Sequence, residues 1–489
     1  MGRALGRVVA WAATLVAPAL LAPGAPAAPT LPTGEPMAIE ATPLVPLDDE
    51  SALSVIGLTG QISIETHDER ELRVVSRELG PDGAERPVAI WADGNRLIVG
   101  PAPGDRSGPR QMRIEIPNTF AVAIDATGSD LALQSVGGGI ELRGKDVRAA
   151  IQGSAGSITA TLEGGSLKVG GSRDATLTLR GVVVEFNGMS GNVNVRAAGG
   201  TVVLNKVDGP IDVESQESKL VMEGGAGSIH VKARKGDVTV IDNGGAAELE
   251  LAGTGLHLRG GKGEITVTSD DSVEFSAMLA AMRLEMLGGS IKGKGNQGSL
   301  DVRARNTEIE VGSIEQGVHV SGDGLRVRID GVGGEVSVEN SFGEIVVQTA
   351  GSAIVKADRG NVTLQGVLGA VSATVTGGDV HIIDGNGPVT LDLDGGDAQV
   401  SWASLSGDKD SKLTNKSGNI TVKFPVAGGC RVEAKSTYGG IDSDLPTVRV
   451  MEGSKEAQGP VNGGYRPVVH VVATGDVHLQ NGAVPHDDQ

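Results

Sequence analysis

The amino-acid sequence predicts an all-β chain: a parallel β-solenoid built from nonapeptide strand-turn units. Three observations carry that expectation. A phrase of the form Gly-x-apolar-x-apolar keeps restarting, as at Gly360-Asn-Val362-Thr-Leu364, Gly369-Ala-Val371-Ser-Ala373, Gly378-Asp-Val380-His-Ile382 and Gly387-Pro-Val389-Thr-Leu391, each nine residues after the last. The 489-residue chain holds 75 Gly but only 2% aromatic residues, without the Gly-X-Y triplet of collagen. The apolar pair of each unit alternates with polar neighbours at period two, which sets both members on one side of a short strand. One such unit cannot bury its own pair, whereas stacked units bury a continuous core.

Taken in order, residues 1–28 read as a secretory signal peptide. Arg3 and Arg7 give a positive start, Val8–Ala22 an apolar core interrupted by Pro18, and Ala25-Pro26-Ala27 the small residues that precede cleavage. Pro18 and Pro23 keep the apolar run shorter than the roughly 20 residues of a membrane span, so no stable membrane insertion of the mature chain is expected. Residues 29–47, with five prolines, read as a Pro/Ala-rich linker. Residues 48–118 form an N-terminal β region leading into the array. Within it Ala89–Val99 reads as a hairpin about Asp93-Gly94-Asn95, because Asp-Gly suits the positive φ of a tight turn.

The array occupies residues 119–400, about 32 nine-residue units that begin at Val122/Ile124 and Leu131/Leu133. Register slips fall near residues 165–182, 263–271 and 343–351. Two strands per coil would need 18 residues and three would need 27. A second apolar residue at the eighth position (Val136, Met189, Val207, Met278, Ile314, Val332, Val367) falls in even-numbered units, with Leu287 as the odd-numbered exception. Gly opens 12 of 16 odd units against 8 of 16 even ones. Both biases repeat every second unit and favour the 18-residue, two-strand coil over the 27-residue, three-strand coil. At about 4.8 Å per coil, roughly 16 coils would make a rod on the order of 75–80 Å long. Beyond Val400 the rhythm loosens through a polar interruption at Ser401–Lys412 that contains Trp402, and residues 401–489 read as an irregular solenoid end and cap.

Three places carry a family resemblance. Arg113-Ile-Glu-Ile-Pro117 followed by Phe120-Ala-Val122-Ala-Ile124, the Gly-x-[Val/Ile]-x-[Val/Ile] repeats, and Tyr438-Gly-Gly-Ile-Asp-Ser-Asp-Leu-Pro446 with Gly475-Asp-Val477-His-Leu479 resemble the entry, body and C-terminal end of the bacterial putative-adhesin β-strand-repeat family. The resemblance covers roughly residues 48–480. It implies an exported, right-handed β-solenoid of bacterial origin, periplasmic or extracellular, with no catalytic residues to carry over.

The chemistry on the array is sparse. No His-Glu-x-x-His or Gly-x-Ser-x-Gly occurs. The Gly-Gly-x-Gly runs at Gly224–Gly227 and Gly260–Gly263 place Ile229 and Ile265 where a calcium roll needs Asp. His230, His257, His319, His381, His470 and His478 each sit between the two apolar positions of a unit, hence on the outer face and too scattered for a zinc cluster. A single Cys excludes an internal disulfide, and a net charge of −19 opposes nucleic acid and anionic membrane surfaces as partners. No catalytic, cofactor or metal residue is therefore assigned. The expected role is a non-catalytic surface, adhesive or scaffolding protein whose partner is a protein or polysaccharide at the cell surface or in the periplasm. The alternative is a carbohydrate-active β-helix lyase or hydrolase, against which the scarcity of aromatic platforms speaks. One partner surface stands out: Val203 and Val221 take the outward position in successive even units, and Val183 lies beside them one coil earlier.

Overall fold

A computed structural model of the chain describes residues 45–46, 51–78, 88–104, 108–405, 407–451 and 455–482. The signal peptide expected at 1–28 lies outside the described residues. So does the linker at 29–47, apart from Val45–Pro46, a two-residue strand paired antiparallel with Glu71–Glu78. All described regular structure is strand, joined into a parallel solenoid.

The coil has two strands and 18 residues. Val202 stacks on Leu220, Leu220 on Val238, and Val238 on Leu256, each 18 positions after the last. The slips are coils shortened by one residue: Ile158 faces Ala175, Leu256 faces Val273 and Val336 faces Ala353, 17 positions on in each case. A missing turn residue shortens a corner and leaves the inward alternation of the strands intact, so the stack passes through without a break.

The two sheets differ. Strands of the broad sheet turn three residues inward, as at Ile158, Ala160 and Leu162 or Met282, Leu284 and Met286, all buried. Strands of the narrow sheet turn two inward and add a third from the following corner, as at Val202, Leu204 and Val207. That corner residue is the eighth-position apolar of the sequence pattern; Met189 stacks on Val207 and Ile314 on Val332. Leu287, the odd-numbered exception, is instead 71% exposed, because the opposite corner has no inward slot there.

Glycine at the unit start follows from the stacking distance. A Cβ on Gly245 would collide with the carbonyl of Gly227, and a Cβ on Gly227 with that of Gly209. Fewer even units open on Gly because several fill that corner with an inward side chain, such as Val147, Val182 or Leu325. Most corners also carry a residue in the left-handed region, and not always a glycine: the column Gly331, Thr349, Gly366 runs at φ 71°, 58° and 64°. Size is traded between neighbours in the core. Phe275 lies in register with Gly293, where a Cβ would strike its ring. Trp402, expected in a polar interruption, is buried as the last residue of the strand Ala398–Trp402. It fits over Gly385, stacks on Phe424 at 6.2 Å and donates its indole N–H to Gly387 O at 3.1 Å.

A side-chain ladder staples the later coils. The backbone N–H of Asp379 donates to Asn361 Oδ1 at 3.1 Å, that of Asp397 to Asp379 Oδ1 at 2.9 Å, and that of Asn419 to Asp397 Oδ1 at 2.9 Å. It continues from Asp476 N–H to Asn419 Oδ1 at 2.8 Å and from Gly440 N–H to Asp476 Oδ1 at 2.7 Å. The recurring Gly-[Asp/Asn]-apolar phrase is thus a backbone staple.

The ends depart from chain order. The expected hairpin forms from Val88–Asp93 and Arg96–Pro101, with Asp93 opposite Arg96. Leu53 and Ile62, in the region set apart from the array, already occupy coil positions against Val122 and Leu131. After Val400 the spacing widens to 22, with Val400 on Val422, to admit the loop that follows Trp402. One hydrophobic core runs from Leu53 to Leu479.

Candidate functional site

The valine group lies on the outward side of the narrow sheet. Val203 stacks directly on Val221, and both are half-buried by their neighbours along the sheet. Glu185 stands beneath Val203, and Thr239 above Val221. Val183 is 52% exposed and pairs with Thr201, so it shares the face but belongs to the adjoining column. Charges border the group: Lys168 meets Glu185 at 3.0 Å, and Lys219 and Asp237 continue the Val183–Thr201 column. The structure adds half-buried Ile241, in register with Glu223 and Arg259. The sequence pattern drew attention to the position between the two inward residues and, at Val183, to the one before them; alternation turns the residue after the pair outward as well.

The six histidines split between the sheets, His230, His319 and His470 on the broad one and His257, His381 and His478 on the narrow one. Most pair with a neighbouring strand: His230 Nδ1 is 3.5 Å from Glu248, His257 3.2 Å from Glu274, His470 3.3 Å from Glu433 and His478 3.9 Å from Asp442. His381 reaches Gln399 at 3.3 Å. Among the described residues no group of three or more His, Cys, Asp or Glu is placed to hold a metal. Cys430 is buried, and desolvation pushes its thiol up to about 12, which keeps it protonated and unreactive.

An open groove of about 490 Å³ crosses the rim of the broad sheet, lined among others by Ser228, His230, Ala246, Glu248, Glu264 and Thr266. It forms because small Ser228 and Ala246 take the same turn position in successive coils while Glu264 takes it in the next. It was not foreseen, since Glu264 lies just ahead of the apolar pair it precedes. It brings an imidazole, two carboxylates and two hydroxyls to one rim.

Ion pairs elsewhere join successive coils, such as Arg196–Glu214 at 3.2 Å and Lys232–Glu250 at 3.3 Å. Exposed pairs of this kind contribute about 0–1 kcal/mol each.

A crystal structure of a "putative cell adhesion protein" from Clostridium sporogenes ATCC 15579 aligns over 90% of this chain and 97% of its own, at 8% identity and a TM-score of 0.13. No match was found among curated proteins. The family model described as Toastrack DUF4097 matches residues 140–480, well over half of the chain. With the resemblance drawn from the repeats and the C-terminal motifs thereby established, the chain belongs to the Toastrack DUF4097 family.

Proposed function

We propose that this protein is an exported, non-catalytic β-solenoid that acts outside the cytoplasm as a surface, adhesive or scaffolding element. The observation that carries the reading is the continuous core from Leu53 to Leu479, which makes the solenoid one continuous body with two long outward faces. Such a body presents repeated side chains at a fixed spacing of about 4.8 Å, which suits extended partners better than small molecules. The partner is a protein or polysaccharide at the cell surface or in the periplasm. Its first docking point is the narrow sheet at Val203 and Val221 with Val183 alongside, where apolar surface interrupts the polar columns.

The test incubates the purified mature chain with a polysaccharide panel and with intact cells, reading retention and product release together. Retention without release supports the reading. Release of shortened saccharide would replace it with the second reading, a carbohydrate-active β-helix enzyme, for which the groove at His230, Glu248 and Glu264 is the place to mutate. Changing Val203 and Val221 together to Thr keeps β-branched shape and removes apolar surface. Unchanged retention by a folded double variant would exclude the docking point. A reporter fused after residue 47 reads export directly.

A further inference from the structure

Both ends of the solenoid are interlaced in the same way. At the N-terminal end the strands Ala52–Leu58 and Gly60–His67 lie inside the stack rather than on its rim. Leu53 pairs on one side with Val122 and on the other with Leu97; Ile62 pairs with Leu131 and with Met112. The outermost coil comes from later in the chain, Arg96–Pro101 and Arg110–Pro117. It is covered by antiparallel Val88–Asp93 and Glu71–Glu78.

The C-terminal end mirrors this. Val468–Ala473 and Val477–Asn481 slot between Ser411–Asn415 and Ile420–Phe424 on one side and the earlier Cys430–Ser436 and Ile441–Ser443 on the other. Antiparallel Glu456–Val461 covers the broad sheet there. The staple ladder passes through the inserted coil, from Asn419 to Asp476 and back to Gly440. Val468 N–H is further held by Asp410 Oδ1 at 2.8 Å.

In a solenoid stacked in chain order, the terminal strands have a partner on one edge only, and tension on the chain ends peels them singly. Here the segments 51–67 and 468–481 are paired on both edges, and their inward residues are buried; Leu53, Val55, Ile64, Val471 and Leu479 are all 1% exposed or less. We propose that these interlaced coils are mechanical clamps. Tension entering at either end of residues 51–482 must break two ladders at once and drag buried side chains from between two coils, so the rod resists unravelling from its ends.

The claim is independent of any ligand, so its failure and that of the adhesive reading are separable. The experiment is single-molecule stretching in two geometries on a Cys430→Ala background. One loads the full chain through handles at its two ends. The other loads strand segments with one free edge, through Arg77→Cys in Glu71–Glu78, beyond the Glu71–Leu72 pairing with Val45–Pro46, and Arg449→Cys in the two-residue strand Arg449–Val450. The end-loaded rod is expected to begin unfolding at about twice the force of the edge-loaded one, because about twice as many ladder bonds per residue oppose extraction. Equal or lower force overturns the clamp. Hydrogen exchange on the unmodified chain provides a second reading. Amides at Val55, Ile64, Val471 and Leu479 should be protected as well as those at Val213 and Val231 in mid-array. Exchange there as fast as in Glu71–Glu78 would equally overturn it.

Discussion

Replacing Val238 by Asp tests the inward assignment most sharply. Val238 is 0% exposed and sits between Leu220 and Leu256, themselves 1% and 0% exposed. Removing the buried valine forfeits about 1.5–3 kcal/mol of apolar burial. An unpaired carboxyl in that dry column takes up a proton rather than stay charged, and its lost hydrogen bonds cost about 1–3 kcal/mol more. The sum is about 2.5–6 kcal/mol. Thr239, one residue on, faces outward between Val221 and His257, and Thr239→Asp should cost no more than about 1 kcal/mol. Urea unfolding of both variants reads the difference. Because each coil contacts only its neighbours, Val238→Asp should also split the transition into two steps as the stack divides near residue 238. Equal losses at the two positions, or a larger loss at Thr239, would refute the inward/outward argument.

Three further outcomes follow from single residues. Thr349 is exposed, β-branched and held at φ 58° between Gly331 and Gly366; Thr349→Gly should stabilise the chain by about 1 kcal/mol, read as a raised melting temperature. Asp397→Ala removes the acceptor for Asn419 N–H at 2.9 Å and for its side-chain amide at 3.1 Å, and should lower stability by about 1 kcal/mol and speed exchange of the Asn419 amide. Cys430, raised by burial to about 12 from 9.0, keeps its proton in the folded state while the unfolded chain releases it. The unfolded state then binds fewer protons between about pH 9 and 12, so stability falls with rising pH in that window, and Cys430→Ala should flatten the slope.

The sequence made the coil legible because the repeat is local. The eighth-position residues announced the corner column of the narrow sheet, and the exposed Leu287 broke the pattern where the fold has no slot for it. The slips at 17 residues were visible for the same reason. The interlaced ends were not visible, because Leu53 finds Leu97 and Val122, and Val471 finds Leu413 and Ala434, through pairings that no local period encodes. Trp402 was misplaced because its burial depends on the space above Gly385 and on Phe424 farther along the chain. At the candidate surface Val203 and Val221 could be aligned by counting, whereas Ile241 and the rim groove depend on which outward and turn positions of successive coils carry apolar or small residues.

Covalent trapping of the register tests the central claim, an 18-residue two-strand coil, most directly. Parallel neighbours stand about 4.8 Å apart, within the Cα range that a disulfide spans. On the Cys430→Ala background, Val203→Cys with Val221→Cys places thiols on Cα partners 18 positions apart. Val203→Cys with His230→Cys places them 27 apart, where His230 pairs instead with Asp212 and Glu248 on the broad sheet. Mild oxidation followed by mass spectrometry of the digested chain should find the 203–221 link within one molecule and no 203–230 link. A 203–230 link forming in preference would contradict the account.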